Sequence, residues 1–222
     1  MPFAVTLHPS MNTSYNRIAG QSVERLAALS DGVFAVAMTL LLLELHAPAR
    51  ESVHSERDLL HALLALAPQL LVYLMSFLTL GIFWVGQQTQ LNYIERSNRN
   101  LTWLHLAFLF AVTLMPFSTR LLAEFAEFRA ALLAYWFNIL LLGVLLYFSW
   151  GYATRSQLLQ GDLPAEVPAA ICRRILIGQS LYAFGALLCL WNTRASIAFI
   201  VLVQLFYAIS PSRISRDTRR EA

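Results

Sequence analysis

Three ionisable side chains flank the first strongly apolar stretch of the chain, and side chains of these types can bind cations or each other. Arg25 and Asp31 precede an uncharged centre from Gly32 to Leu43, and Glu44 follows it directly. Charges beside so apolar a segment are costly unless they meet a partner or water, which makes them candidates for function. The pattern predicts either a structural contact or a site for ions along this segment.

A stripe of branched aliphatic residues on the same segment is a second candidate. At about 100° per residue, Val36, Leu40 and Leu43 fall on one face of a helix, with Thr39 on its edge. Asp31 falls on the other side and is expected to point into neighbouring helices, where its carboxylate needs a donor. Two interpretations are open: ordinary helix packing, or a pore lining in which side chains from several subunits form a constriction that gates by dewetting.

The composition indicates what kind of protein must position these residues. Of 222 residues, 58% are hydrophobic and 13% are charged, whereas soluble domains average about 45–50% apolar and about 25% charged residues. A folded chain of this length cannot hide so much apolar surface, so part of it must face lipid. The composition predicts a membrane protein. No catalytic motif is present, so we expect no enzymatic activity, no cofactor and no metal site.

Six stretches reach or approach the roughly 20 residues that a helix needs to span a bilayer. No segment alternates polar and apolar residues, so we predict an all-α fold, a polytopic membrane protein with six transmembrane helices. Pro68 and Pro116 are expected to kink or end helices. The six stretches are approximately residues 23–46, 59–86, 100–119, 130–154, 175–193 and 195–212.

The arginines predict the orientation, because cytoplasmic loops carry an excess of basic residues. Eleven arginines fall in the N-terminal segment, the second and fourth loops and the tail, and five fall in the other three loops. Both termini are therefore predicted to be cytoplasmic. The scattered placement argues against a nucleic-acid partner. We divide the chain into a cytoplasmic segment (1–22), a six-helix transmembrane domain (23–212) and a basic cytoplasmic tail (213–222).

The string RLAALSDGVFAVAMTLLLLEL, residues 25–45, resembles the first-helix signature of the transmembrane protein 175 family, the lysosomal and bacterial potassium channels. Leu29 and Gln87-Gln88 depart from the family pattern, which usually has Phe and His at these places. The positions that carry the resemblance are Arg25, Ser30, Asp31, Gly32, Thr39, Glu44, Trp84, Asn100 and the run from Pro116 to Thr119.

The resemblance implies a potassium-permeable channel of the bacterial inner membrane, built as a homotetramer around a central pore that the first helix lines. It implies that Val36, Leu40 and Leu43 form the constriction and that Thr39 supplies a hydroxyl layer. K⁺ ions and the lipid bilayer are the implied partners. The Thr-Val-Gly-Tyr-Gly carbonyl filter is absent from the sequence, so a modest preference for K⁺ over Na⁺ is expected.

Alternative roles stay open for the polar residues of the first helix. Arg25, Ser30 and Asp31 form a structural latch, directly or through polar groups such as Gln87, Gln88 and Asn100, or the charges bind ions or protons. Glu44 snorkels at the outer helix end, or it contributes an outer vestibule that concentrates cations. The Thr39 hydroxyl faces ions, or it bonds back to the Ala35 carbonyl.

A secondary transporter is the alternative function. Transporters usually show inverted repeats and helices that are interrupted at the middle of the membrane. The first helix has no internal break, and six spans are few, so the channel is the leading hypothesis.

Overall fold

The computed structural model describes residues 22–43 and 45–209 and is all-helical over these residues. Glu44, residues 1–21 and the basic tail lie outside the described residues, and so do the predictions made for them. Short 3₁₀ turns occur at Arg50–Ser52 and Leu188–Leu190. The α-helices are α1 Val23–Leu43, α2 Glu56–Ala65, α3 Ala67–Tyr93, α4 Arg99–Thr113, α5 Met115–Glu124, α6 Arg129–Arg155, α7 Glu166–Leu187 and α8 Thr193–Ile209.

Side-chain caps begin several of these helices, including α2 and α4. The Ser55 hydroxyl accepts a hydrogen bond from the Asp58 amide at 3.2 Å at the start of α2. At the start of α4, Asn98 Oδ1 accepts one from the Leu101 amide at 3.0 Å. Each cap satisfies an amide that has no partner within its helix, so both helices begin where the sequence supplies the acceptor.

Two prolines separate consecutive helices. Pro68 and Pro116 lie in the first turns of α3 and α5, where a missing amide hydrogen is tolerated. Leu66 and Leu114 are the single residues between α2 and α3 and between α4 and α5. The prediction that these prolines kink or end helices is confirmed.

The bundle is organised around α6 and α3. α6 packs against α4, α5 and α7, while α3 packs against α1, α5 and α8. The rings of Phe34 on α1 and Phe108 on α4 lie 6.1 Å apart between centroids. The first helix is therefore attached to the bundle along one face. The largest fully buried side chains include Trp150, Tyr135, Phe34, Phe108, Leu41 and Met75.

Five helical segments in the described part of the chain are long and apolar enough to cross a membrane. They are α1, α3, the α4–α5 segment, α6, and α7 with its 3₁₀ turn. α8 is shorter, at 17 residues, which is the lower end of the range of about 17–25 residues for spanning helices. The all-α, multi-pass prediction is confirmed, and the count of six spans stays a prediction.

Two helices extend well beyond the uncharged stretches that predicted them. α3 continues past Gly86 through polar residues to Tyr93, and α7 begins at Glu166 instead of near Ile175. An uncharged stretch marks the part of a helix suited to hydrocarbon, whereas backbone hydrogen bonding continues into the polar interface. α7 consequently includes Arg173 and Arg174, which the sequence analysis placed in a loop.

Candidate functional site

The aliphatic stripe of α1 is exposed on the surface of the chain. Val36, Leu40 and Leu43 are 58%, 42% and 71% exposed, and Thr39 is also exposed. No other helix among the described residues covers the stripe, so it does not serve packing within this chain. The opposite face of α1 is buried through Leu26, Ser30, Phe34, Ala37 and Leu41.

The Thr39 hydroxyl donates a hydrogen bond to the Val36 carbonyl oxygen at 2.8 Å. The acceptor is Val36 and not the expected Ala35, because helical threonines bond to the carbonyl either three or four residues back. A hydroxyl that donates its one hydrogen keeps lone pairs on its oxygen. The bond therefore orients the side chain and leaves its oxygen able to accept or to coordinate.

The Asp31 carboxylate is held by two donors from α3. Its Oδ1 atom accepts hydrogen bonds from Trp84 Nε1 at 2.8 Å and from Gln88 Nε2 at 2.7 Å. Hydrogen bonds to an ionised acceptor are shorter and stronger than neutral ones. The expectation that Asp31 faces a neighbouring helix and finds donors there is confirmed. Trp84 was expected only as part of a family motif, so its role as a donor is new.

Ser30 joins the same pair of helices. Its buried hydroxyl accepts a hydrogen bond from Gln87 Nε2 at 3.1 Å and donates one to the Leu26 carbonyl oxygen at 2.8 Å. Gln87 and Gln88 are two of the three positions that depart from the family pattern. Each of the two glutamines supplies an N–H donor to α1. We call Ser30, Asp31, Trp84, Gln87 and Gln88 the α1–α3 contact.

Arg25 lies apart from this contact. Its side chain is exposed, and the salt bridges found among the described residues do not include an Arg25–Asp31 pair. The two residues are six positions apart, which turns their side chains about 120° away from each other around the helix axis. Asn100 is also elsewhere, because its amide donates to the Tyr152 hydroxyl at 3.2 Å.

A buried polar cluster lies inside the bundle, and the sequence analysis did not anticipate it. The Tyr135 hydroxyl is 3.1 Å from Thr79 Oγ1 and 3.3 Å from Ser76 Oγ. Thr119 donates to Ser76 Oγ at 2.8 Å, and Gln204 donates to Thr79 Oγ1 at 2.6 Å. The cluster joins α3, α5, α6 and α8. The sequence signal for this cluster is the pair Ser76 and Thr79, two polar residues three positions apart in the otherwise apolar α3.

Comparisons with known proteins agree with this architecture. Residues 25–116 match the family described as the endosomal/lysosomal potassium channel TMEM175. A protein of Streptomyces collinus named as a potassium channel is 33% identical over 192 residues, which cover 84% of this chain and 91% of that protein. A potassium channel of Chamaesiphon minutus is 29% identical over 189 residues, covering 83% and 93% of the two chains.

A solved structure extends the match to the fold. The crystal structure of a lysosomal potassium-selective channel TMEM175 homolog from Chamaesiphon minutus superposes with a TM-score of 0.73 and 28% sequence identity, covering 84% of this chain and 96% of that chain. These relatives are named as channels, which confirms the prediction that the chain is not an enzyme. The motif in the first helix, the matches over most of the chain and the shared fold together establish that the chain belongs to the TMEM175 family.

Proposed function

We propose that the protein is a potassium-permeable cation channel in which α1 of each subunit lines a central pore. The observation that carries the proposal is the stripe of Val36, Leu40 and Leu43, which is exposed although the opposite face of α1 is buried. Relatives over most of the chain are named as potassium channels, which supports the same function.

The pore requires several copies of α1, and we propose a homotetramer. In such a ring each stripe residue recurs once per subunit, and the residues follow one another by about one helical turn. Stacked rings of branched aliphatic side chains form a constriction that closes by excluding water. The Thr39 hydroxyls then form the polar layer of this constriction, and Glu44 contributes negative charge beyond its outer end.

The α1–α3 contact gives the proposed latch its physical basis. It holds α1 to the bundle through Ser30 and Asp31, at the end of the helix away from Leu43. Arg25 lies on the stripe side in helical projection, beyond that contact, where its charge faces solvent. We propose that Ser30 and Asp31 position the pore helix and that Arg25 lies at the inner mouth of the pore.

We further propose a specific membrane arrangement. α8 forms the sixth span, so that the transmembrane domain covers residues 23–212 and the N-terminal segment and tail both lie in the cytoplasm. The excess of arginines in these segments and in alternate loops supports this orientation. The cell membrane of a bacterium is the proposed location, in keeping with the bacterial relatives.

Single-channel recording in planar bilayers tests the function. The purified full-length protein should give unitary currents, and their reversal potential should follow the K⁺ gradient. A transporter turns over too slowly to give unitary currents. Bilayers fused with empty vesicles are the control. Slow K⁺ uptake into vesicles without unitary currents would contradict the channel and favour the transporter.

A further inference from the structure

A long groove runs along α7, between that helix and α3, and it has no assigned role. It has a volume of about 670 Å³ and extends from Glu166 to Tyr182 on α7, with Tyr207 of α8 at one side. Its walls are mainly apolar, but Arg173 and Arg174 line it as well. The groove is remote from the α1 stripe, none of whose residues line it.

The two arginines are placed to receive an anion. Both are exposed, and among the described residues neither is part of a salt bridge. Among the described residues that line the groove, Glu166 is the only acidic one, and it lies about two helical turns from Arg173 on α7, roughly 10 Å along the axis. The middle of the groove therefore carries positive charge that no salt bridge among the described residues neutralises.

The depth of the arginines matches the headgroup region of a bilayer. From Ile175 the chain is uncharged as far as Thr193. The helical part of this stretch ends with the 3₁₀ turn at Leu190 and is about 25 Å long, which approaches the hydrocarbon thickness of about 30 Å. Arg173 and Arg174 thus lie at the edge of the hydrocarbon. The groove continues from Ile175 to Tyr182, about 10 Å deeper, which is two thirds of the hydrocarbon of one leaflet.

A buried acceptor in the groove wall adds a polar contact near this level. Gln90 lines the groove and is 1% exposed. Its Nε2 donates to the Leu146 carbonyl oxygen at 3.2 Å, but its Oε1 has no partner among the described residues. Gln90 lies one turn from the end of α3, on the same membrane side as Arg173. A ligand that carries hydroxyl donors beside a phosphate suits this wall.

We propose that the groove binds one anionic phospholipid of the phosphatidylglycerol type. Arg173 and Arg174 bind its phosphate, the hydroxyls of its headgroup reach the level of Gln90, and an acyl chain fills the groove beside α7. Basic pockets between transmembrane helices at the membrane surface are known to take anionic headgroups. The apolar walls below the arginines favour a lipid over a free phosphate ion, because only the lipid has an acyl chain to cover them.

Native mass spectrometry of the full-length protein tests this proposal with added phosphatidylglycerol or phosphatidylcholine of identical acyl chains. The wild-type protein should retain phosphatidylglycerol preferentially. The R173Q/R174Q variant should bind it on the order of tenfold more weakly, because each arginine near the surface attracts an anionic lipid. R96Q/R155Q removes two exposed arginines from the same membrane side outside the groove and should bind as the wild type does.

A second variant tests the groove itself. A Cβ at Gly178 would have as its nearest neighbour the Tyr207 hydroxyl oxygen at 3.8 Å, an ordinary van der Waals contact. Gly178→Leu therefore adds a side chain in the groove wall and keeps both arginines. It should also weaken phosphatidylglycerol binding. Gly151→Leu is the matched control, because a Cβ there meets no atom within 4 Å and the residue lies outside the groove.

Three outcomes would overturn the proposal. Equal retention of the two lipids by the wild-type protein would show that the groove does not select anionic headgroups. Unchanged binding in R173Q/R174Q or in Gly178→Leu would place the lipid elsewhere on the surface. A loss of subunits in Gly178→Leu, with no change in lipid binding, would show that a neighbouring subunit fills the groove.

Discussion

At the scale of single residues, one oxygen atom of Asp31 accepts both of its hydrogen bonds from α3. Oδ1 accepts hydrogen bonds from both Trp84 and Gln88. Both donors are neutral, so the carboxylate has no ionic partner whose loss would leave a buried charge. The consequences of a substitution at Asp31 therefore depend on whether an acceptor oxygen remains.

We expect Asp31→Asn to be mild and Asp31→Ala to be more damaging. Asn keeps one acceptor oxygen but replaces two charge-assisted hydrogen bonds with weaker neutral ones. Because the site is exposed, the free energy of unfolding should fall by about 1 kcal/mol in total. Ala removes the acceptor, and the loss should be about 2 kcal/mol. Thermal unfolding of the purified variants measures both losses of stability. Asp162→Asn, at an exposed loop residue, is the control variant. Equal destabilisation by Asn and Ala would show that the negative charge is what matters.

The Thr39 hydroxyl has the clearest test of a role in selectivity. If the hydroxyl oxygens form the polar layer, the permeability ratio of K⁺ to Na⁺ is about tenfold or less, equivalent to about 1.4 kcal/mol. In Thr39→Val the bi-ionic reversal potential should fall toward zero. Thr113→Val is a matched control, because Thr113 makes the same kind of bond, to the Phe110 carbonyl at 2.7 Å, away from the stripe. An unaltered reversal potential in Thr39→Val would leave the hydroxyl only its bond to the helix backbone.

The residue scale also shows what the sequence could predict. Helical projection put Asp31 on a different side from the stripe, and that followed from spacing alone. It could not identify Trp84 as a donor, because the contact joins residues 53 positions apart. The spacing of Arg25 and Asp31 already predicts that their side chains point in different directions around the helix. The exposure of Arg25 could not be predicted in this way, because it depends on how α1 packs against the other helices.

At the scale of elements, the two exposed sides of α1 can be distinguished by experiment. We expect Leu43→Asn to wet the proposed constriction and raise basal conductance severalfold. Leu42→Asn is the matched control, since Leu42 is 56% exposed but about 100° away around the helix. Single-channel recording of both variants gives the comparison. An increase in Leu42→Asn without one in Leu43→Asn would place the pore on a different face of α1.

The buried polar cluster stabilises the association of helices. Tyr135→Phe removes a hydroxyl that reaches both Ser76 and Thr79, while those hydroxyls keep their bonds to carbonyls in their own helix. We expect a loss of about 0.6–1.7 kcal/mol, the range for hydrogen bonds between helices in membranes, and unchanged conductance. Tyr147→Phe on the outer side of α6 is the control for thermal unfolding. Altered ion selectivity in Tyr135→Phe would contradict a purely structural role.

Helix existence was predictable and helix ends were not. The predicted stretches are helical over most of their described length, because spanning hydrocarbon forces the backbone to bond internally. Two of them are divided into two helices, at Leu66 and Leu114. The ends depended on local groups outside those stretches, such as the Asn98 cap and the extension of α7 to Glu166. The other members of the polar cluster around Tyr135 come from three helices, α3, α5 and α8. The spacing of Ser76 and Thr79 indicates a polar contact on α3, but it could not identify the members from α5 and α8.

At the scale of the whole molecule, the arrangement in the membrane gives a direct prediction. With six spans, both ends of the chain should lie in the cytoplasm, so a reporter that is active only in the cytoplasm should be active when fused to either end. Alkaline phosphatase fusions measure export, and they should be inactive at residue 222 and active after residue 192, between α7 and α8. An active fusion at residue 222 would mean that α8 does not cross and that five helices span the membrane.

The attachment of α1 has a mechanical consequence. Directional hydrogen bonds hold this helix near Ser30 and Asp31, while toward Leu43 its contacts are apolar and permit sliding. Leu43 is twelve residues from Asp31, which places it roughly 18 Å away along the helix axis. A tilt of about 10° about the fixed end displaces Leu43 by about 3 Å, close to the diameter of a water molecule. In the proposed pore, a rearrangement around Trp84 that tilts α1 by this amount would displace Leu43 far enough to admit or expel water.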